Sequence, residues 1–83
     1  MVLYFTATWC GPCKMFKPVV QQVSSELEIG IVYVDVDQQR DMAVKYGVSS
    51  VPTIMIENNG SVIYRNSGVM SKPQLMQVLS QFR

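Results

Sequence analysis

Short apolar runs rich in β-branched residues alternate along this chain with longer stretches whose apolar residues recur every three or four positions. An alternation of this kind is the signature of a sheet layered with helices. Val2 to Thr6 read as a first strand. Met15, Phe16, Val19, Val20, Val23 and Leu27 then form a broad apolar face with helical spacing. Pro18 lies inside that helix and is expected to bend or locally shorten it, and Gly30 is expected to stop it. Ile31 to Val36 is apolar on both alternating faces, which favours an inner, helix-covered strand. Asp37 is placed to cap a second helix over residues 38–46, with Met42, Ala43 and Tyr46 on its packing side and Gly47 at its end.

The second half reads as a hairpin and a helix. Thr53 to Glu57 and Ser61 to Arg65 are β-prone and flank Asn58-Asn59-Gly60, a turn that accepts positive φ. Gly68 breaks the strand pattern, and Ser71 with Gln74 three residues later forms a capping box for a last helix packed through Leu75, Leu79 and Phe82. The expected fold is α/β, in the order β-α-β-α-β-β-α, with a four-stranded mixed sheet flanked by three helices. With 83 residues and 48% hydrophobic content, one domain over residues 1–83 is expected, and it can bury a modest core.

The two cysteines are separated by two residues, in Trp9-Cys10-Gly11-Pro12-Cys13, and follow the first strand directly. Pro12 suits an early helical position, where no amide hydrogen is needed, so the pair is placed at a helix start. Unpaired backbone donors and the positive end of the helix dipole there favour the thiolate of Cys10. Cys10 can then attack a substrate disulfide, and Cys13 can resolve the mixed disulfide. Two close thiols also suit zinc. The chain has no histidine and no second cysteine pair, so a metal site would need carboxylate ligands or a dimeric four-thiolate arrangement, and no metal is expected. A reversible disulfide is the favoured reading of C-x-x-C in an α/β chain.

The net charge of +1, with basic residues spread along the chain, gives no support to nucleic-acid binding. No segment approaches a membrane span, and the opening residues lack a secretion-signal pattern, so membrane association is not expected and a cytoplasmic location is the default.

The stretch from Phe5 through Trp9-Cys10-Gly11-Pro12-Cys13 to Met15 resembles the active-site region of thioredoxins. So do Val34 to Asp37, Lys45 to Thr53, Asn59-Gly60 and Gly68, so that the resemblance covers nearly the whole chain. It implies a protein-disulfide reductase that holds no tightly bound cofactor and is recharged by a thioredoxin reductase drawing on NADPH, or by a related reductant. Disulfide-containing proteins are its implied substrates. A glutathione-dependent, glutaredoxin-like carrier and a non-catalytic interaction module are the alternatives. The resemblance further implies that Cys10 is the exposed attacking thiolate and Cys13 the more buried resolving residue. Trp9, Gly11 and Pro12 would form part of the docking surface, Pro52 would be the cis-proline opposite the cysteines, Val51 would offer backbone hydrogen bonds, and Gly68 would allow close approach.

Departures from the family pattern are confined to a few places. The chain begins at the strand that leads into the cysteines, so a preceding strand and helix are expected to be missing. Residues 31–36 would then form a sheet edge, which leaves a weak dimer open for a chain expected to be a monomer. Tyr4 and Tyr33 stand where the family carries a buried acid and a lysine; both are read first as core residues with hydrogen-bonded hydroxyls, and second as groups that tune proton transfer. Thr6 replaces an aromatic residue. Lys14 is a second candidate for electrostatic tuning, and Met15 and Phe16 are read as helix core.

Overall fold

The computed structural model describes residues 1–82. In chain order the elements are β1 (Val2–Thr6), α1 (Gly11–Leu27), β2 (Ile31–Asp35), α2 (Arg40–Lys45), β3 (Thr53–Asn58), β4 (Ser61–Ser67) and α3 (Lys72–Gln81). The strands form one mixed sheet in the order β2-β1-β3-β4. β2 runs parallel to β1, as a connection through a helix requires, whereas β1–β3 and β3–β4 are antiparallel.

β1 is central and buried on both faces. Val2 and Tyr4 point to one side, where they join Ile54 and Ile56 of β3, Phe16, Val20, Val23 and Leu27 of α1, and Leu75 and Leu79 of α3. Leu3 and Phe5 point to the other side, packing with Val34, Met55 and the partly buried Met42 and Tyr46 around α2. The alternation fixes register, because a one-residue slip of β1 would exchange its two sets of side chains between these layers.

The expected turn chemistry is present. Asn59 (φ 53°) and Gly60 (φ 82°) take the positive φ values of the β3–β4 hairpin. The Ser71 hydroxyl accepts from the Gln74 amide at 3.3 Å while Gln74 Oε1 accepts from the Ser71 amide at 3.2 Å, completing the capping box.

Five readings are corrected. β2 is the edge strand expected from the missing preceding strand, not the inner one its composition suggested: Val32 and Tyr33 are exposed and only Val34 is fully buried, because the sheet ends at β2. Pro18 does not shorten α1, which runs through it for 17 residues; Pro18 lies on the solvent side, where the carbonyl left without an amide partner can meet water. Met15 is 78% exposed and lies outside the core, whereas Phe16 is fully buried. Glu28, not Gly30, closes α1 in the left-handed conformation, its amide reaching back to the carbonyl of Ser25. Asp37 does not cap α2, whose N-cap is Gln39 without a side-chain bond; instead Asp35 Oδ1 accepts from the amides of Asp37 and Gln38, making the turn itself.

Candidate active site

The site is assembled where β1 stops. After Thr6 the chain turns through Ala7-Thr8-Trp9, with the Cys10 amide donating to the Ala7 carbonyl at 3.2 Å, and α1 begins at Gly11. Cys10 is the N-cap in extended conformation, and its Sγ accepts from the backbone amide of Cys13 at 3.1 Å. Sulfur thus occupies the position that a Ser or Asp oxygen usually fills at a helix start. Pro12 falls in the first turn, where its missing donor costs no helical bond. Gly11 has open space where a Cβ would stand, so this turn presents a low, uncrowded surface.

Cys10 and Cys13 form a disulfide, with Cα atoms 5.3 Å apart. Cys10 is 4% and Cys13 1% exposed. The exposed character expected of Cys10 is therefore absent in the oxidised protein: Ala7, Val36 and Val51 pack around both residues and leave only a small opening.

Facing the pair is the loop before β3. The Val51–Pro52 peptide bond is cis, and Pro52 is buried. The Val51 carbonyl lies 3.8 Å from Cys10 Sγ, a contact that can act as a hydrogen bond only when the sulfur carries a proton. The Gly68 amide donates to the Pro52 carbonyl at 2.8 Å, and φ of 99° at Gly68 explains the glycine by backbone conformation; no atom crowds its Cβ position. Cys10 and Val51, and Pro52 and Gly68, distant in sequence, are thereby linked through the cis Val51–Pro52 bond.

Trp9 is 68% exposed, with its indole N–H donating to Asp37 Oδ2 at 2.6 Å. Its ring borders a recess of about 100 Å³ walled by Val36, Val48, Ser49, Ser50 and Val51. Val51 was expected in the site, whereas Asp37, Val36, Val48, Ser49 and Ser50 were not named as site residues. A contact across 28 positions has no local signal.

Tyr4 is fully buried and its hydroxyl donates to the Cys13 carbonyl at 2.9 Å. Burial raises its phenol above the ordinary value, outweighing the lowering by the Thr6 side chain, and the neighbouring Tyr33 adds the least, a further rise. Tyr33, 36% exposed, is not the core residue expected; it stands edge-on to Tyr4, ring centres 5.8 Å apart, and partial desolvation raises its phenol as well. Lys14 lines a separate recess that also reaches Cys13. Among the described residues no group of three or more His, Cys, Asp or Glu side chains is placed to hold a metal, and no helix is long and apolar enough to cross a membrane.

This arrangement matches known proteins. The thioredoxin family model matches residues 1–81. A thioredoxin-like protein of Synechocystis is 40% identical over 94% of this chain and 76% of its own length, and the thioredoxin of Bacillus subtilis is 38% identical over 93% and 76%. Among solved structures, thioredoxin from Fasciola hepatica superposes with a TM-score of 0.89 at 34% identity, covering 99% of this chain and 79% of that one; a mutant thioredoxin from Halobacterium salinarum gives 0.90 at 30%, covering 98% and 72%. With its cysteines paired at the entrance of α1 and a match of this extent, the chain belongs to the thioredoxin family and is a dithiol–disulfide oxidoreductase.

Proposed function

We propose that the reduced protein is a general dithiol carrier that reduces disulfides of other proteins, with Cys10 as nucleophile and Cys13 as resolving residue. The observation that carries this order is the N-cap position of Cys10: its sulfur already receives the Cys13 amide and sits at the positive end of α1, both of which favour a thiolate. Cys10 thiolate attacks one substrate sulfur, forming a mixed disulfide and expelling the other sulfur as thiolate. Cys13 then attacks Cys10 Sγ, the bond to substrate breaks, and the second substrate thiolate leaves with the Cys10–Cys13 disulfide behind. Two electrons pass to the substrate.

Docking is read as a shared task of Trp9, Gly11, Pro12, Val51, Pro52 and Gly68. Trp9, Gly11 and Pro12 adjoin the cysteines in the chain, the Val51 carbonyl lies beside Cys10 Sγ, and Gly68 bonds Pro52 next to it; Val51 brings backbone groups that an extended substrate segment can pair with. No tightly bound cofactor is invoked. Electrons are supplied by NADPH through a thioredoxin reductase, and a reducing compartment such as the cytoplasm suits this direction. Residues 1–83 act as one unit, as a monomer.

The test is turnover of a defined protein disulfide, with NADPH and a thioredoxin reductase in one arm and glutathione in the other. Sustained turnover is expected in the first arm. Turnover confined to the glutathione arm would overturn the reductase assignment in favour of a glutaredoxin-like carrier.

A further inference from the structure

Cys13 is also reached from a second recess, of about 470 Å³, which shares no lining residue with the Trp9 groove. Cys13, Lys14 and Lys17 come to it from α1, Thr6 from the end of β1, and Tyr33 and Asp35 from β2. The titratable groups around Cys13 are therefore Lys14 and Lys17 on its own helix, Tyr4 on β1, Tyr33 and Asp35 on β2, and its disulfide partner Cys10.

Among the described residues no side chain at the back of Cys13 is hydrogen-bonded to its sulfur. The Tyr4 hydroxyl spends its single proton on the Cys13 carbonyl, and a neutral phenol oxygen is a very weak base. Asp35 Oδ1 is occupied by the amides of Asp37 and Gln38. The lysines are cations at neutral pH. Lys17 follows Cys13 by four residues in α1, so the two share a helix face, and its Nζ is 5.6 Å from the centre of the Tyr33 ring, which holds it at the recess. Two cations against one carboxylate leave the surroundings of the sulfur positive, and the recess has room for water.

We propose that Cys13 loses its proton to water in this recess, with Lys14 and Lys17 favouring the thiolate and Tyr4 serving as a positioning residue that fixes the Cys13 backbone. The proposal rests on the reading above that Cys13 resolves the mixed disulfide. Water or dissolved buffer takes the proton of the Cys13 thiol; the thiolate forms the bond to Cys10 Sγ as the bond from Cys10 to the substrate sulfur breaks. The departing thiolate carries the electron pair and is protonated by solvent. Tyr33, by holding Lys17, is a second positioning residue.

The test is stopped-flow reaction of the reduced protein with excess chromogenic aromatic disulfide over a range of pH. Attack gives a phase that depends on reagent concentration, and resolution gives one that does not. In the wild type the second phase is expected to rise about tenfold per pH unit up to one inflection. Replacing both lysines, Lys14→Gln with Lys17→Gln, is expected to move that inflection upward and slow resolution about threefold at neutral pH. Tyr4→Phe is expected to slow resolution by the same factor at every pH, leaving the inflection in place. A normal first phase with an inflection that moves in Tyr4→Phe, or that stays fixed in the lysine double variant, overturns the proposal alone. A first phase that survives Cys10→Ser contradicts the assigned order of the cysteines and takes the proposal with it. Lys14 and Lys17 are themselves exposed, so their variant keeps the test available should Tyr4→Phe fold poorly.

Discussion

The Trp9 indole N–H meets Asp37 Oδ2 at 2.6 Å and ties the loop before α1 to the loop after β2. The bond fixes an otherwise exposed ring beside the disulfide, on the surface where a substrate chain would lie. Preorganising an aromatic contact lowers the ordering cost of docking.

Asp37→Ala frees that ring. A hydrogen bond to a charged acceptor at a partly exposed site contributes about 1 kcal/mol, so the rate with a folded protein disulfide is expected to fall about fivefold. A small aromatic disulfide, which needs no extended docking surface, should react at nearly the wild-type rate. Comparing second-order rate constants for the two substrates checks this, and equal losses on both would show that Asp37 acts on the sulfur and not on docking.

Ser71→Ala removes one half of the capping box at α3 and leaves the first-turn amides to water. The expected cost is about 1 kcal/mol, which lowers the melting temperature of a domain this small by about 4–8 °C. Thermal denaturation of the oxidised protein measures it. No change would mean that the α3 terminus is frayed in solution.

Alkaline pH should destabilise the fold through its tyrosines. Burial raises the phenols of Tyr4 and Tyr33 above 10.0, and the hydrogen bond and charge of Glu57 raise that of Tyr46. The folded protein keeps these protons after the unfolded chain has lost them, so the unfolded state binds fewer protons and stability falls as pH rises. The contribution is complete below about pH 10, where unfolded tyrosine is still neutral, and is lost as pH passes the folded values. Melting temperatures followed from neutral to strongly alkaline pH should show this decline, with a shallower slope in Tyr4→Phe. An equal slope in that variant would contradict the assignment to Tyr4.

The dithiol, the Asn59-Gly60 hairpin, the Ser71–Gln74 box and the two-layer core were legible because each is written in neighbouring residues or in a regular period. What was misread depends on distant partners. Ile31 to Val36 has the composition of an inner strand, and only the resemblance, through the missing preceding strand, pointed to its place at the edge, which is decided by which strands pair with β1. Met15 has the spacing of the α1 stripe, yet it falls where no element covers the helix. Asp37 was misread as the cap of α2, when it accepts from Trp9 and Asp35 makes the turn, because an aspartate before a helix can cap, make a turn or reach a remote donor with the same oxygens. At Tyr4 the core-packing reading, with a hydrogen-bonded hydroxyl, matches the structure, while the acceptor, the Cys13 carbonyl, is set by tertiary packing.

The order of attack is tested most directly by intact-mass analysis of Cys13→Ser after exposure to a disulfide substrate. One stable adduct per chain, mapped to Cys10, is the predicted result, with Cys10→Ser forming none. An adduct held by Cys13 in the Cys10→Ser protein, with Cys10 unmodified in its counterpart, would contradict the account.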